Sequence, residues 1–209
     1  MVLTTNGNSI HCFMNDCYNG VLVIGVVHGD EPQGEYLINK YLDSNIESKL
    51  AFIPCLNPDG KNLGTRVNAN GVDLNRNFPT KNWILSDKNE FFGGEAPASE
   101  QETKFLINLI EEIKPKLILT LHAPFKVVNY DGNAKLIAQK ISNIINYPVQ
   151  ENIGYPTPGS LGTWAGIEKN IPTITLELDE EIPIQNLEEA IFKIFYELEN
   201  YDSFSNDLG

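Results

Sequence analysis

Histidine and cysteine are scarce in this chain, with three of each among 209 residues. Cys12, Cys17 and Cys55 cannot all pair, so no disulfide framework is expected and the thiols are expected to be reduced. His11, Cys12 and Cys17 lie close together, but in no recognisable metal-ligand spacing, and read as strand and turn. Basic residues are also in deficit, because 15 Lys and Arg stand against 28 Asp and Glu, a formal net charge of −13. Nucleic acid and anionic membrane surfaces both need a basic face, so neither is expected as a partner. An anionic substrate must then be held by a local positive site. No apolar run approaches the length of a membrane span. The start, Met1-Val-Leu-Thr-Thr-Asn-Gly-Asn8, lacks the basic end and apolar core of a signal peptide, so a cytoplasmic location is expected.

What is present suits one globular domain over residues 1–209, with 42% hydrophobic and 21% charged residues and enough length for a core without staples. Residues 1–20 read as a short irregular or hairpin entry, with turn signals at Asn6-Gly7 and Asn19-Gly20. Apolar, β-branched runs predict strands over 21–27, 50–56, 117–121 and 173–176, with a short one near Val149. Pro54 assigns the second of these to an edge or a bulge. Asn57-Pro58-Asp59-Gly60 reads as a turn. Helical periodicity appears over about 33–44, from a capping box at Ser99-Glu-Gln-Glu102 to Ile113, over 132–146 and over 185–200. Residues 61–98 have no convincing periodicity, and a loop of that length in a compact domain is usually functional. Residues 201–209 are expected to be a flexible tail. Alternating strands and helices imply a three-layer α/β/α domain around a largely parallel sheet.

The polar residues fall where such a sheet places chemistry, at the carboxyl ends of its strands. The first strand runs into His28-Gly-Asp-Glu31-Pro32, the third is tipped by His122 and the fourth by Glu177. Either histidine alone would read as a satisfied core residue. Together, His28, Glu31 and His122 supply the two imidazoles and one carboxylate of a catalytic zinc site, short spacer then long, with a position left open for water. Glu177 is the natural general base. The long loop adds Arg66 and Arg76 among asparagines and glycines, one suited to an oxyanion and one to a substrate carboxylate.

His28-x-x-Glu31, Gly71-Val-Asp-Leu-Asn-Arg-Asn-Phe78, His122 and Glu177 within Thr175-Leu-Glu-Leu178 resemble the zinc carboxypeptidases. Asn57-Pro-Asp-Gly60, the run from Arg66 to Pro79, and Gly154-Tyr-x-Thr-Pro-Gly-Ser160 with Trp164 are similar to the members of that family that act on murein peptides. The likeness spans about residues 20–180. It implies a zinc-carboxypeptidase-like α/β/α fold and one zinc ion per chain on His28, Glu31 and His122, with Glu177 as base and Arg66 at the oxyanion. It also implies Asn75 and Arg76 on the substrate's free carboxylate and Tyr155 covering bound substrate. Ser160 and Thr163 are then expected beside the leaving residue. The implied reaction is hydrolysis of the γ-D-glutamyl–meso-diaminopimelate bond of murein tripeptide, a small peptide substrate, in peptidoglycan recycling. Thr163 is neither acidic nor basic, so a peptide ending in plain lysine or arginine is not favoured. The pocket for the leaving residue is expected to be polar and mixed in charge. Two other readings compete: an N-acyl amino acid deacylase, which shares an H-G-x-E-P segment, and an inactive peptide-binding module.

Overall fold

Why Val21-Leu-Val-Ile24 forms a strand is visible in where its side chains go: Val21 and Val23 enter one apolar core, Leu22 and Ile24 the other. A strand buried on both faces must be apolar throughout, which is the parallel-sheet pattern. The computed structural model of the chain describes residues 1–45, 47–151 and 154–202. It opens with a hairpin of β1 (Val2–Leu3) and β2 (Ser9–Ile10), turning through Gly7. Strand β3 (Val21–Ile24), helix α1 (Gln33–Ser44), strand β4 (Ala51–Ile53) and helix α2 (Pro58–Leu63) follow. After a short 3-10 turn at Leu74–Arg76 come α3 (Gln101–Ile113), β5 (Leu117–His122), β6 (Val127–Asp131), α4 (Lys135–Ile145) and β7 (Val149–Gln150). A π-helical segment (Gly162–Glu168), β8 (Thr173–Glu177) and α5 (Gln185–Glu199) complete the order.

The main sheet has the order β4-β3-β5-β8-β6-β7. β4, β3, β5 and β8 run parallel, β6 is antiparallel to β8, and β7 is parallel to β6. Helices α1, α4 and α5 pack on one face with Leu119, Leu121, Ile174 and Leu176. α3, Phe78 and Trp164 cover the other with Leu22, Ile24 and Ile118. Side chains alternate between faces along a strand. On this second face Thr120 and His122 therefore line up with Thr175 and Glu177, and with Asn129 and Asp131. In register, His122 stands opposite Glu177, Asn129 opposite Thr175 and Asp131 opposite Thr173. The sheet is apolar on its first face, and on its second it turns polar at the carboxyl end of β5, along the whole of β8, and at Asn129 and Asp131 of its antiparallel neighbour β6.

Several expectations are revised. The first strand ends at Ile24, since Val26 takes a positive φ of 48° and the chain swings to fasten onto the exit of β4 through Leu56 N–H to Gly25 O and Asn57 N–H to Val26 O. The second strand is shorter than expected, stopping before Pro54, and does lie at the sheet edge. Asn57-Pro-Asp-Gly60 starts a helix instead of a turn, because Pro58 suits a first helical position and Asn57 Oδ1 accepts from Gly60 N–H at 2.9 Å. Ser99 is not the cap of α3. Glu100 precedes the helix without a side-chain cap bond, and Ser99 Oγ donates to Glu100 Oε1. Strand β6 has no counterpart among the expected strands, and the expected helix over 132–146 is trimmed to Lys135–Ile145. The expected tail lies, from residue 203 on, outside the described residues.

Asp59 in α2 is fully buried and anchors the opening hairpin: Thr4 Oγ1 and Asn8 Nδ2 donate to its Oδ1, each at 2.6 Å, and Asn6 N–H to its Oδ2. Gly29 is pressed against the same helix, where a Cβ would overlap the backbone of Gly60 and Lys61. Backbone cannot rotate away as a side chain can, so Gly29→Ala should be strongly destabilising. Overpacking costs about 1–3 kcal/mol or more, and a chain of this size loses roughly 2–4 °C in melting temperature per kcal/mol. The expected fall is therefore about 2–12 °C by calorimetry, and an unchanged melting temperature would mean that α2 does not sit tightly against His28-Gly29.

Candidate active site

His28 and Glu31 stand on the turn between β3 and α1, closed by Glu31 N–H to His28 O at 3.2 Å. Asn57 Nδ2 ties Val27 O and Arg66 O together from behind. His122 ends β5. The three side chains are buried and converge: His28 Nδ1 lies 2.8 Å from Glu31 Oε1, and His122 Nδ1 lies 2.9 Å from Glu31 Oε2. The two Nδ1 atoms are 3.2 Å apart. Three donors on a tetrahedral zinc, with bonds of about 2.0–2.1 Å, are separated by roughly 3.3 Å. The two imidazole nitrogens are at about that spacing, each touches one of the two Glu31 oxygens, and one donor atom from each residue lies within 4.8 Å of the others, so the residues fit the ion. The second nitrogen supports the fit as well, since His28 Nε2 lies 3.2 Å from Asp73 Oδ1, the carboxylate partner usual behind a metal-binding histidine. Burial disfavours a charge on Glu31, yet His28 and His122 hold its carboxyl well below the usual range, so it is an anionic donor. Burial likewise opposes a charged His28, but Asp73 and Glu31 outweigh it and raise its pKa to about 9.

Asp73 is fully buried and joins the metal triangle to the long loop. Its Oδ2 accepts from Arg66 Nε at 3.0 Å and Nη2 at 2.9 Å, and its Oδ1 also accepts from Asn75 N–H at 2.8 Å. Arg66 Nη1 is 3.6 Å from Glu31 Oε1, and the guanidinium carbon lies 5.2 Å from the centre of the Phe91 ring. Arg76 is buried, donates from Nη1 to Asn75 O at 2.7 Å and is hydrogen-bonded to Tyr155. Asn75 Oδ1 accepts from Leu161 N–H at 2.9 Å. These are the only two arginines in the sequence, and both face one cavity.

Glu177 is buried beside the triangle. Its Oε2 is shielded from solvent and has no hydrogen-bond partner among the described residues. Burial raises its pKa, with Glu31 adding to the effect and the imidazoles offsetting part of it. A carboxylate of raised proton affinity, with one oxygen unengaged, is suited to taking a proton at near-neutral pH.

A deep cavity of about 280 Å³ joins His28, Glu31, His122 and Glu177 to Arg66, Asn75 and Arg76, and runs on to Asn129, Asp131, Glu151 and Thr175. A wider mouth of about 850 Å³ opens from the same centre between Ile84, Phe91, Phe125 and Pro156.

A family model described as zinc carboxypeptidase matches residues 13–185. The chain belongs to the zinc carboxypeptidase family. Murein peptide amidase A of Escherichia coli (strain K12) is 32% identical over 193 residues, which cover 86% of this chain and 77% of the amidase. The protein of the same name from Vibrio campbellii is 35% identical over 171 residues, 75% of this chain and 68% of its own. Among solved structures, the murein-tripeptide amidase from Escherichia coli O157 superposes with a TM-score of 0.84 at 28% identity, covering 94% of this chain and 89% of that one. Carboxypeptidase A from Helicoverpa armigera shares the fold, with a TM-score of 0.73 at 17% identity over 98% of this chain and 67% of its own. The chain thus has a zinc-carboxypeptidase-like fold and is an enzyme of the metallopeptidase and amidase type.

Within this carboxypeptidase, every expected site residue except Thr163 lines the deep cavity. Thr163 is turned to a structural bond: Ser160 Oγ donates to Thr163 Oγ1 at 2.9 Å and accepts from its N–H at 3.1 Å, at the start of the π-helical segment. The position beside the far end of the cavity is Gly162, where any Cβ would overlap the Asp131 carboxylate. Asp131, Asn129, Glu151 and Thr175 were missed, as was Asp73. The alternation of Val127-Val-Asn-Tyr-Asp131 would have flagged Asn129 and Asp131 as one face of a strand. Burial pushes the Asp131 carboxyl up to about 6.

The metal triangle leads to a prediction. One zinc per chain is expected by elemental analysis, with near-complete loss in His28→Ala and in His122→Ala. Asp73→Asn should keep the ion but weaken it, since a carboxylate behind a ligand is worth about 10–100-fold in affinity. Unaltered zinc affinity in a chelator competition with Asp73→Asn would detach Asp73 from the metal centre.

Proposed function

We propose that the chain is a zinc-dependent amidase that hydrolyses the γ-D-glutamyl–meso-diaminopimelate bond of murein tripeptide. The observation that carries this reading is the deep cavity, with a paired arginine and asparagine near the metal triangle and carboxylates at its far end. The relatives' names point to the same substrate. In the tripeptide, the L-centre of diaminopimelate bears a free carboxylate beside the scissile amide. Arg76 is suited to grip it bidentately with Asn75 assisting, and Arg66 to hold the carbonyl oxygen as negative charge develops there. Zinc on His28, Glu31 and His122 would supply a Lewis acid that polarises the carbonyl and makes water acidic. Glu177 accepts the proton of the attacking water at its carboxylate and passes it to the leaving nitrogen. Asp73 keeps His28 and Arg66 in register through these steps, and Tyr155, bonded to Arg76, covers the leaving residue.

The far end differs from the sequence expectation. It is polar, but of one sign: Asp131 and Glu151 line it with Asn129, and the cations of the cavity, Arg66 and Arg76, stand at the near end. The ammonium of the distal D-centre is therefore the group read there, and the distal carboxylate has amide and solvent for company. A leaving residue without the ammonium is penalised more than one without the distal carboxylate, which softens the bias against lysine. The N-acyl amino acid deacylase and the inactive module gain no support from a cavity with an intact base and a carboxylate floor.

The direct test is incubation with L-Ala-γ-D-Glu-meso-diaminopimelate and mass detection of free diaminopimelate. Release is expected, and extension of the L-centre carboxylate with D-Ala should abolish it, because Arg76 would face a neutral amide. Asp131→Asn should cut kcat/KM for the diaminopimelate tripeptide by about 10-fold or more, since a hydrogen bond to a charged group is worth about 1.5–3 kcal/mol, with little change for the tripeptide ending in 2-aminopimelate, which lacks the distal ammonium. Equal cleavage of the D-Ala-extended peptide, or faster deacylation of N-acetyl amino acids, would reject the proposal. Glu177→Gln should retain fold and zinc while losing about two to four orders of magnitude in turnover. Activity within a few-fold of wild type would assign the proton work to another group, such as Asp30 or Glu35.

A further inference from the structure

The deep cavity takes the leaving residue, so the acyl part of a substrate has the wide mouth to occupy. We propose that this mouth is an acyl-side subsite that reads a free, protonated amino terminus; the inference rests on the murein-peptide reading and extends it to the other side of the scissile bond. The mouth shares Glu31, Arg66, Arg76 and Tyr155 with the deep cavity, so the two meet at the reacting centre. Its walls are apolar: Ile84, Phe91 and Phe125, which are 62%, 46% and 57% exposed, line it together, and grouped exposed apolar side chains mark binding grooves. Ser86, on the same wall, has a hydroxyl shielded from solvent without a hydrogen-bond partner among the described residues.

The rim is acidic. Asp30, Glu90 and Glu180 line the mouth, and among the described residues its only lining cations are Arg66, held by Asp73, and Arg76, held by Asn75 and Tyr155. The charge of Asp30 acts on Arg66. Glu90 and Glu180 have no ion-pair partner among the described residues, although lysines stand close by. Lys88 pairs with Glu95, and Lys126 with Asp179 and Glu181 on either side of Glu180. An apolar trough edged by two uncompensated carboxylates is complementary to a small apolar residue carrying an ammonium. The amino-terminal L-alanine of the free tripeptide, one residue beyond the scissile acyl group, has that chemistry. Acylation of its nitrogen leaves a neutral amide and removes the attraction.

Calorimetric titration of Glu177→Gln protein with the tripeptide and with its N-acetyl form reads the subsite without turnover. Partly exposed charge pairs of this kind are worth about a few-fold each, so the free peptide should bind about five- to tenfold tighter. The ratio should shrink with added salt, which screens exposed charges, and approach one in a Glu90→Gln, Glu180→Gln double variant. Equal binding of the two peptides overturns the proposal, and so does a preference that survives both salt and the double variant. If the diaminopimelate peptides do not bind at all, the murein reading fails separately. The free and acetylated pair is then rebuilt on whichever leaving residue the wild-type protein releases fastest from a panel, and the kcat/KM ratio decides the acyl-side proposal.

Discussion

The site depends on one buried carboxylate. Asp73 has no exposed surface, and its two oxygens face His28 Nε2, the Asn75 backbone N–H and two nitrogens of Arg66. Burial raises the cost of ionising it, yet His28 and Arg66 hold its carboxyl well below the usual carboxylate range. A buried charge is tolerated only when it is paired and hydrogen-bonded in this way. Through Asp73, the orientation of the His28 imidazole, the position of the Arg66 guanidinium and the turn that carries Asn75 and Arg76 become a single mechanical unit. Residues 61–98 have little regular structure to hold them, so this carboxylate substitutes for a strand ladder. Asn68 and Asn77 act in the same manner further along, one bonded to Glu100 and the other to Gly93 O and Ser99.

Electrostatics explains why the arginines must be local. The chain carries a net charge of −13, and its field repels a substrate rich in carboxylates. Both arginines of the sequence are spent at the centre of the cleft, where low solvent access strengthens them. At the two ends of the cleft the remaining charge is negative: Asp131 and Glu151 in the deep cavity, Glu90 and Glu180 at the mouth. A zwitterionic peptide with carboxylate near the scissile bond and ammonium groups at its extremities matches that alternation.

How much of this was legible in the sequence follows from which signals are local. Strand tips were legible, because an apolar run ending in His122 or Glu177 combines a burial pattern with a polar terminus in one short window. The parallel pairing that brings those tips together followed from the alternation of strands and helices. Asp73 was hidden because its role is set by partners at positions 28 and 66, which no spacing rule connects. β6 was hidden because its outward residues, Asn129 and Asp131, are polar for the sake of the cavity, which breaks the apolar signature of a buried strand. Thr163 stands one residue from the cavity lining: in the π-helical segment Gly162 faces Asp131, whereas Thr163 turns back to Ser160. The capping box at Ser99 failed because Glu100 and Glu102 are drawn inward to Asn68.

The central claim is that His28, Glu31 and His122 hold one zinc whose neighbours Asp73 and Glu177 are already in position. Anomalous scattering at the zinc absorption edge, from crystals of the protein grown with one equivalent of zinc, tests it most directly. The account predicts a single peak within about 2.0–2.2 Å of His28 Nδ1, His122 Nδ1 and a Glu31 oxygen, with the His28–Asp73 contact retained. A peak that omits any of the three, or that requires Asp73 to leave His28 and bind the ion itself, would contradict it.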